Sequence, residues 1–519
     1  MFGSLHKSQI SSARIAAVTA ACISVFVGVT GAQPLQAAAT AESSAPAAPA
    51  SVETNANLRD FDFVTEKLRV NYAGWDTKVT DATRPKLEAL TAKLRAEAAT
   101  AAPERFTEIL REWLAFFGDR HIGAFPLSVE QPSPAEAAAA ATRTPSLDWT
   151  EASVRASVAE LGERRDPLEG IWNIFDRYRI GVLRTPGKEG MFTAVVLTTV
   201  AEGWSPGQVK AEFTRLKNGT IEMLFRAGDH SETRQPASLL LDGAMLRSDR
   251  WGAWVREYPA SAVPVSADMI ARISPSDSMF LKPLSDTTMW LRLPDFDASR
   301  ATPLKEILAA NEARLASCPN LLIDLRSNGG GSDFVYGPIM PMLYTRPIYG
   351  IGVELRATAD NLALRKRQAD EFRAQEPEAV KRFDEQNARM ERNLGGWIQH
   401  GTKPFDIERM DSVMPFPKRV AILIDGAGSS GEQFLLEARQ SRKVTLFGQR
   451  NSLGVLDFAN VVRIDTPSGR HGMYWATSRS LRLPDDPVDP DGIPPDIRIP
   501  MEVVDPVGFA QAWLERQVD

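Results

Sequence analysis

Apolar positions recur at helical spacing between Phe61 and Phe117. Leu87, Leu90 and Leu94 mark one segment, and Phe106, Ile109, Leu110, Trp113, Leu114 and Phe117 mark the next. Recurrence at i, i+3, i+4 and i+7 predicts amphipathic helices with one buried face. Gly118 then acts as a C-terminal breaker and leaves Asp119 and His121, in FGDRHIGAF, in the following turn. The reading is a small helical domain over 55–130, closed by the low-complexity stretch AEAAAAATRTP at 135–145. Between about 147 and 270 the pattern shortens to β-type runs such as RIGVLR, FTAVVLTTV and TIEMLFRA, separated by Gly, Pro, Asn and Asp. These predict an antiparallel β-domain over 147–270 that has the makings of a barrel. From 278 to 519 apolar strands alternate with helical segments, which predicts an α/β domain. A charged helical insertion interrupts it at about 358–397. Its plain reading is a solvated helix face, with a lid or spacer as the alternative.

The N-terminus departs from this texture. Lys7 and Arg14 precede an apolar run from Ile15 to Val29, and small residues follow around Ala32, Ala37 and Ala39. That order predicts a secretory signal peptide over 1–39 and an exported protein, periplasmic or secreted. The run is shorter than the roughly 20 residues that span a bilayer, so an uncleaved membrane anchor is the lesser alternative and no integral span is expected after removal. Residues 40–54 are rich in Ala, Pro and Ser and read as a flexible linker.

Composition narrows the function. With 43% hydrophobic and 24% charged residues the 519-residue chain is globular rather than disordered. A formal charge of -6 gives no basic footprint for nucleic acid. Cys22 and Cys318 are the only cysteines, and no HExxH occurs, so neither a disulfide framework nor a familiar metal motif is present.

Two strand-to-loop transitions carry candidate chemistry. In LLIDLRSNGGGS a buried strand runs into Gly329, Gly330 and Gly331, whose N–H groups can approach a ligand closely. A phosphate loop would need a lysine next; Ser332 and Asp333 stand there, and an oxyanion hole suits the loop better. In VAILIDGAGSSGEQFLLEA a strand, a glycine turn, Ser429 and Ser430 lead into a helix, which sets a hydroxyl at the positive end of a helix dipole. Helix capping by serine is the plain alternative.

DLRSNGGGS, IDGAGSSGEQF, LFGQRNSLG and DPDGIPPDI resemble, in order and approximate spacing, the carboxyl-terminal-processing (tail-specific) serine peptidase family. The resemblance covers roughly 278–505 and implies a catalytic domain of the ClpP/crotonase-like type, a spiral of β-β-α units. It implies that Ser429 is the nucleophile and that the N–H of Ser430, with Gly330 or Gly331, forms the oxyanion hole. Members with a Ser–Lys dyad carry their lysine where this chain has Gly454, and Arg450 nearby cannot accept a proton. The tricorn-like branch, which draws a histidine from the N-terminal region, is the better likeness, with His121 as base. In that branch a carboxylate before a Gly-hydrophobic-x-Pro-Asp stretch acts on the histidine through a serine. Asp489 takes the carboxylate's place, but Arg120 stands where the serine would be. That substitution weakens the relay: an arginine can bind Asp489 as a structural ion pair, leaving Asp119 or a backbone carbonyl to orient the imidazole, and an acidic turn residue is the plain reading of Asp489. Among the other histidines His471 is the runner-up as base. The implied activity is hydrolysis of unfolded or C-terminally exposed polypeptides through an acyl-enzyme, with no metal or organic cofactor. A catalytically silent peptide-binding protein and a small-ester hydrolase are the competing functions.

Overall fold

In the computed structural model of the protein, residues 50–127, 134–248, 252–373 and 377–516 are described. They form two compact units, one comprising residues up to 128 with 277–500 and 509–519, the other 129–276 with 501–508. The segment read as a signal peptide lies outside the described residues.

The first unit is built on two sheets. Strands Thr288–Arg292, Asn320–Asp324, Arg419–Leu423, Val444–Gly448 and Ile497–Arg498 pair parallel in that order, and Phe280–Pro283 adds antiparallel to the first of them. Asn320–Asp324 is buried throughout and Arg419–Leu423 nearly so, as near-continuous apolar runs require of strands covered on both faces. In the second sheet His471–Ser480 is central, pairing with Gly123–Pro126, Phe458–Asp465 and Val353–Arg356.

The helical segment is not a domain of its own, which corrects the boundary at 130. Phe61, Leu68, Phe106, Ile109 and Trp113 share one core with Phe458, Met473 and Trp475 of the second sheet. The apolar stripes of its helices are covered partly by one another and partly by that sheet. The linker reading also needs correction at its end. A helix spans Ala50–Asn71, so 50–54 are helical; Pro49 lies just upstream, and no proline interrupts the span. Likewise, the alanine-rich stretch at 135–145 is largely the helix Pro134–Arg143, as alanine's propensity favours.

The charged insertion is a helical hairpin, Ala359–Phe372 and Pro377–Glu391. It is more than a solvated face: Arg365, Gln386 and Asn387 are buried, and Asn361 accepts a hydrogen bond from the Trp475 indole at 2.9 Å. The second unit holds a closed barrel of eight antiparallel strands between Gly170 and Tyr258, with Trp172, Phe213 and Trp254 in its core.

A buried ion cluster stands where the parallel sheet meets the glycine loop. Asp324 is fully buried and takes two hydrogen bonds from the Arg326 guanidinium at 2.9 and 2.8 Å, with Arg292 Nη1 at 3.8 Å. Removing the carboxylate strands two buried cations. Asp324→Ala is therefore expected to cost about 3–5 kcal/mol in urea unfolding; a loss under 1 kcal/mol would show that the cluster does not anchor the loop.

Candidate active site

After the strand Arg419–Leu423 the chain turns through Gly426 at φ +74° and reaches Ser429 at φ +53°. Positive φ at a serine is a strained conformation, costing about 1–3 kcal/mol, and persists only where the surroundings impose it. Two features impose it here. The helix Ser430–Ala438 begins at the next residue, and the Ser429 N–H donates to Glu432 Oε2 at 3.2 Å. Space is also short: a Cβ on Gly428 would lie 2.8 Å from Leu453 Cδ1 and 2.9 Å from Val455 Cγ2.

The glycine loop runs alongside this turn. Ser327 N–H donates to Asp425 C=O at 2.8 Å, Gly428 N–H to Asn328 C=O at 2.9 Å, and Ser430 Oγ to Gly331 C=O at 2.9 Å. A Cβ on Gly330 would fall 2.7 Å from Ser429 Cβ and 2.9 Å from Ser430 N, so only glycine allows this approach. The structure thus brings together Ser429, Ser430, Gly330 and Gly331. Their N–H groups differ: that of Gly330 is spent on Asn328 Oδ1 at 2.9 Å. The Gly331 N–H donates no backbone hydrogen bond among those described.

His121 follows the helix Pro103–Ala115 and the turn at Gly118. Asp119 Oδ1 accepts the His121 N–H at 2.7 Å, and Tyr72 Oη donates to Asp119 Oδ2 at 2.6 Å. The ring's Nδ1 bonds to the backbone carbonyl of Phe458. A carbonyl only accepts, so Nδ1 carries the proton and the neutral ring keeps its lone pair on Nε2, the form a general base needs.

One segment, 452–458, links the serine turn to the histidine. Glu432, fully buried, accepts from Ser452 Oγ at 2.6 Å, Gly454 N–H at 2.7 Å and Val455 N–H at 2.9 Å. Burial raises its carboxyl pKa while these donors pull it down. The next two N–H groups, of Leu456 and Asp457, donate to Asp489 Oδ1 at 2.6 and 3.2 Å, and the next carbonyl, of Phe458, holds His121.

Asp489, which the resemblance sets in the carboxylate role, is held by the amides of Leu456 and Asp457. Its own N–H donates to Asp457 Oδ2 at 2.8 Å, which turns the carboxylate along the loop. The expected pair with Arg120 is also absent among the described ion pairs, because Arg120 is exposed. Burial, aided by neighbouring Asp457 and Asp119, raises the Asp489 pKa to about 7. Of the two substitutes, the backbone carbonyl orients the ring and Asp119 fixes the main chain of His121.

The remaining histidines sit elsewhere. His471 Nε2 hydrogen-bonds Thr107 Oγ1 at 2.9 Å within the helical core, His400 is buried beyond the helical hairpin, and His230, in the second unit, stacks on Trp204. Gly454, in the lysine position of the Ser–Lys members, has φ +67°, and a Cβ there would meet Pro490 O at 2.2 Å. No side chain fits. In the sequence Glu432 stands out only as part of a motif, and Phe458, acting through its backbone, leaves no side-chain signal.

A serine at a strained strand-to-helix turn, facing backbone N–H groups, is the arrangement of an acyl-transferring hydrolase, and comparison with known proteins makes this specific. The sequence model of peptidase family S41 matches residues 288–499. The protein is a serine-type peptidase. Over those residues it is similar to family S41, the carboxyl-terminal-processing peptidases. No curated protein matches the sequence. Among solved structures, mature CPAF aligns with TM-score 0.47 at 12% identity, over 90% of this chain and 97% of that one. The photosystem II D1 C-terminal processing protease aligns with TM-score 0.34 at 12% identity, over 88% and 96%, and a lipoprotein from Streptococcus agalactiae with TM-score 0.37 at 8% identity, over 89% and 97%.

Two measurements check the site. Gly454→Ala is expected to lose on the order of 3 kcal/mol in urea unfolding, from overpacking and the left-handed backbone, and Gly454→Lys at least as much; wild-type stability in either would mean that Pro490 yields. Because the folded-state pKa of Asp489 is raised from 3.8 to about 7, its contribution is complete below the lower value and is lost as pH rises through the upper one. The wild type should therefore lose more stability between pH 5 and 8 than Asp489→Asn does. Equal slopes for the two proteins would sink this assignment.

Proposed function

We propose that the protein is an exported serine endopeptidase of unfolded or C-terminally exposed polypeptides, with Ser429 as nucleophile and His121 as general base. His121 Nε2 takes the Ser429 Oγ proton as that oxygen attacks the peptide carbonyl. The N–H groups of Ser430 and Gly331 receive the oxyanion, and the imidazolium protonates the leaving amine. Water then hydrolyses the acyl-enzyme by the same route. Asp489 has no direct part; the Phe458 carbonyl stabilises the charged ring.

The observation that carries this reading is the 452–458 segment, hydrogen-bonded at one end to the carboxylate that caps the serine's helix and at the other to the His121 ring. Exclusion of any side chain at Gly454 supports a histidine over a lysine as base. The fold that accompanies the reading is a ClpP/crotonase-like spiral, supported by the parallel run of strands that ends in the two site loops. The positively flanked apolar run before Ala32 supports export to the periplasm or medium. Among the described residues no helix is long and apolar enough to cross a membrane.

A fluorophosphonate probe tests the mechanism. Labelling is expected in the wild type and in Ser430→Ala, absent in Ser429→Ala, and reduced at least 100-fold in rate in His121→Ala, since general-base assistance is worth about 10²–10⁴. An unlabelled, folded wild type would overturn it in favour of a binding protein; full-rate labelling of His121→Ala would remove the histidine.

A further inference from the structure

A cavity of about 110 Å³ opens beside the helix that carries Ser429 at its head. Gln433 and Glu437 line it, one and two turns along that helix, the first roughly 6 Å from Ser429 along the axis. Asp333 lines it from the other side, two residues after Gly331. Neither Ser429 nor Gly331 lines the cavity itself; it begins one turn along the helix from the serine and two residues along the loop from the glycine. Its volume approaches the roughly 150 Å³ of a cavity that holds one benzene-sized group, so it suits a single side chain.

The walls give the chemistry. Met340, Ile348 and Val353 supply an apolar sleeve, and Gly350, Gly352 and Gly401 leave it unobstructed. Asp333, Asp406, Glu408 and Glu437 face it, against one cation, Lys403. Asp406 and Glu408 alternate onto one face of the strand Phe405–Glu408. Glu437 Oε1 takes hydrogen bonds from Gln433 at 2.8 Å and Tyr336 at 3.2 Å, and no salt bridge to Glu437 or Glu408 occurs among the described residues. Burial and the nearby Glu408 raise the Glu437 pKa to about 7. Glu437 also lies in the last turn of its helix, where the dipole adds negative potential. His400 lines the same cavity at 6% exposure, and its Nε2 has no hydrogen-bond partner among the described residues. Burial, with Arg365, Arg389 and Arg382 nearby, keeps that ring neutral, so it adds no charge. Desolvated carboxylates that outnumber the cations beside them, here four against Lys403, gain from a ligand that brings a further cation on an apolar stem.

We propose that this cavity is the subsite for the substrate side chain next to the scissile bond, and that it selects lysine or arginine. The inference rests on Ser429 being the nucleophile. An apolar sleeve holds the methylene stem, and Glu437 and Glu408 meet the charged end.

Calorimetry on Ser429→Ala protein tests the subsite without turnover. Two blocked peptides of one sequence would be compared, with lysine or its uncharged near-isostere norleucine at the varied position, alongside the triple variant Ser429→Ala, Glu408→Gln, Glu437→Gln. The lysine peptide is expected to bind at least tenfold tighter than the norleucine peptide, and the ratio to fall to about one in the triple variant. Equal affinity for the two peptides, no binding of either, or a ratio unchanged in a triple variant that melts like its parent would each overturn the subsite. Fluorophosphonate labelling of the wild type, run in parallel, reports on Ser429 alone. A labelled enzyme without lysine preference refutes only the subsite; lysine preference in an unlabelled protein refutes the nucleophile and, with it, the cavity's place beside the scissile bond, leaving only a lysine-binding cavity.

Discussion

The Glu432 carboxylate is the constraint on which the site depends. It is fully buried and gathers four donors: the Ser429 and Gly454 N–H groups, the Val455 N–H and the Ser452 hydroxyl. A buried acid is costly unless its hydrogen bonds are made, so each donor is held where the carboxylate needs it. The same group therefore caps the serine's helix, fixes the strained Ser429 backbone and sets the course of 452–458. Ser452 carries the constraint onward, its Oγ accepting the Ile493 N–H at 2.6 Å. The loop of 489–493 is thereby pulled against Gly454, whose missing side chain makes the contact possible.

The histidine reaches this arrangement from more than 300 residues away in sequence, and packing brings it there. The strand Gly123–Pro126 pairs with His471–Ser480 directly after His121, and the aromatic core of Tyr72, Phe117 and Phe458 closes beneath it. Tyr72 both fills that core and donates to Asp119. Hydrophobic burial and ring orientation are thus set by the same residues, which hold the His121 turn between a packed helix and a paired strand.

Much of the local structure is legible in the chain. The i, i+3, i+4 spacing from Phe106 to Leu114 marks the helix Pro103–Ala115, whose apolar face is buried, and the glycine and serine runs after Asp324 and Ile424 mark where strands give way to loops. Both are legible because periodicity and turn chemistry are local properties. The ordered motifs between Leu321 and Asp496 likewise point to the family. The separate helical domain was misread because a helix's apolar stripe does not say whether a helix or a sheet will cover it. The partners of Asp489 are not legible, because a carboxylate's spacing from a glycine motif does not reveal which way its side chain turns.

By itself the sequence determined the strands and helices that flank the site, the glycines that permit close approach, and the likeness to a peptidase family. Tertiary structure alone decided which groups meet. It assigned the Gly330 N–H to Asn328, the Asp489 carboxylate to the amides of Leu456 and Asp457, and the His121 ring to the carbonyl of Phe458. The physical reason is the same each time: the partner is a backbone group distant in sequence or hidden in a loop, identical in every residue and so invisible in the pattern of side chains.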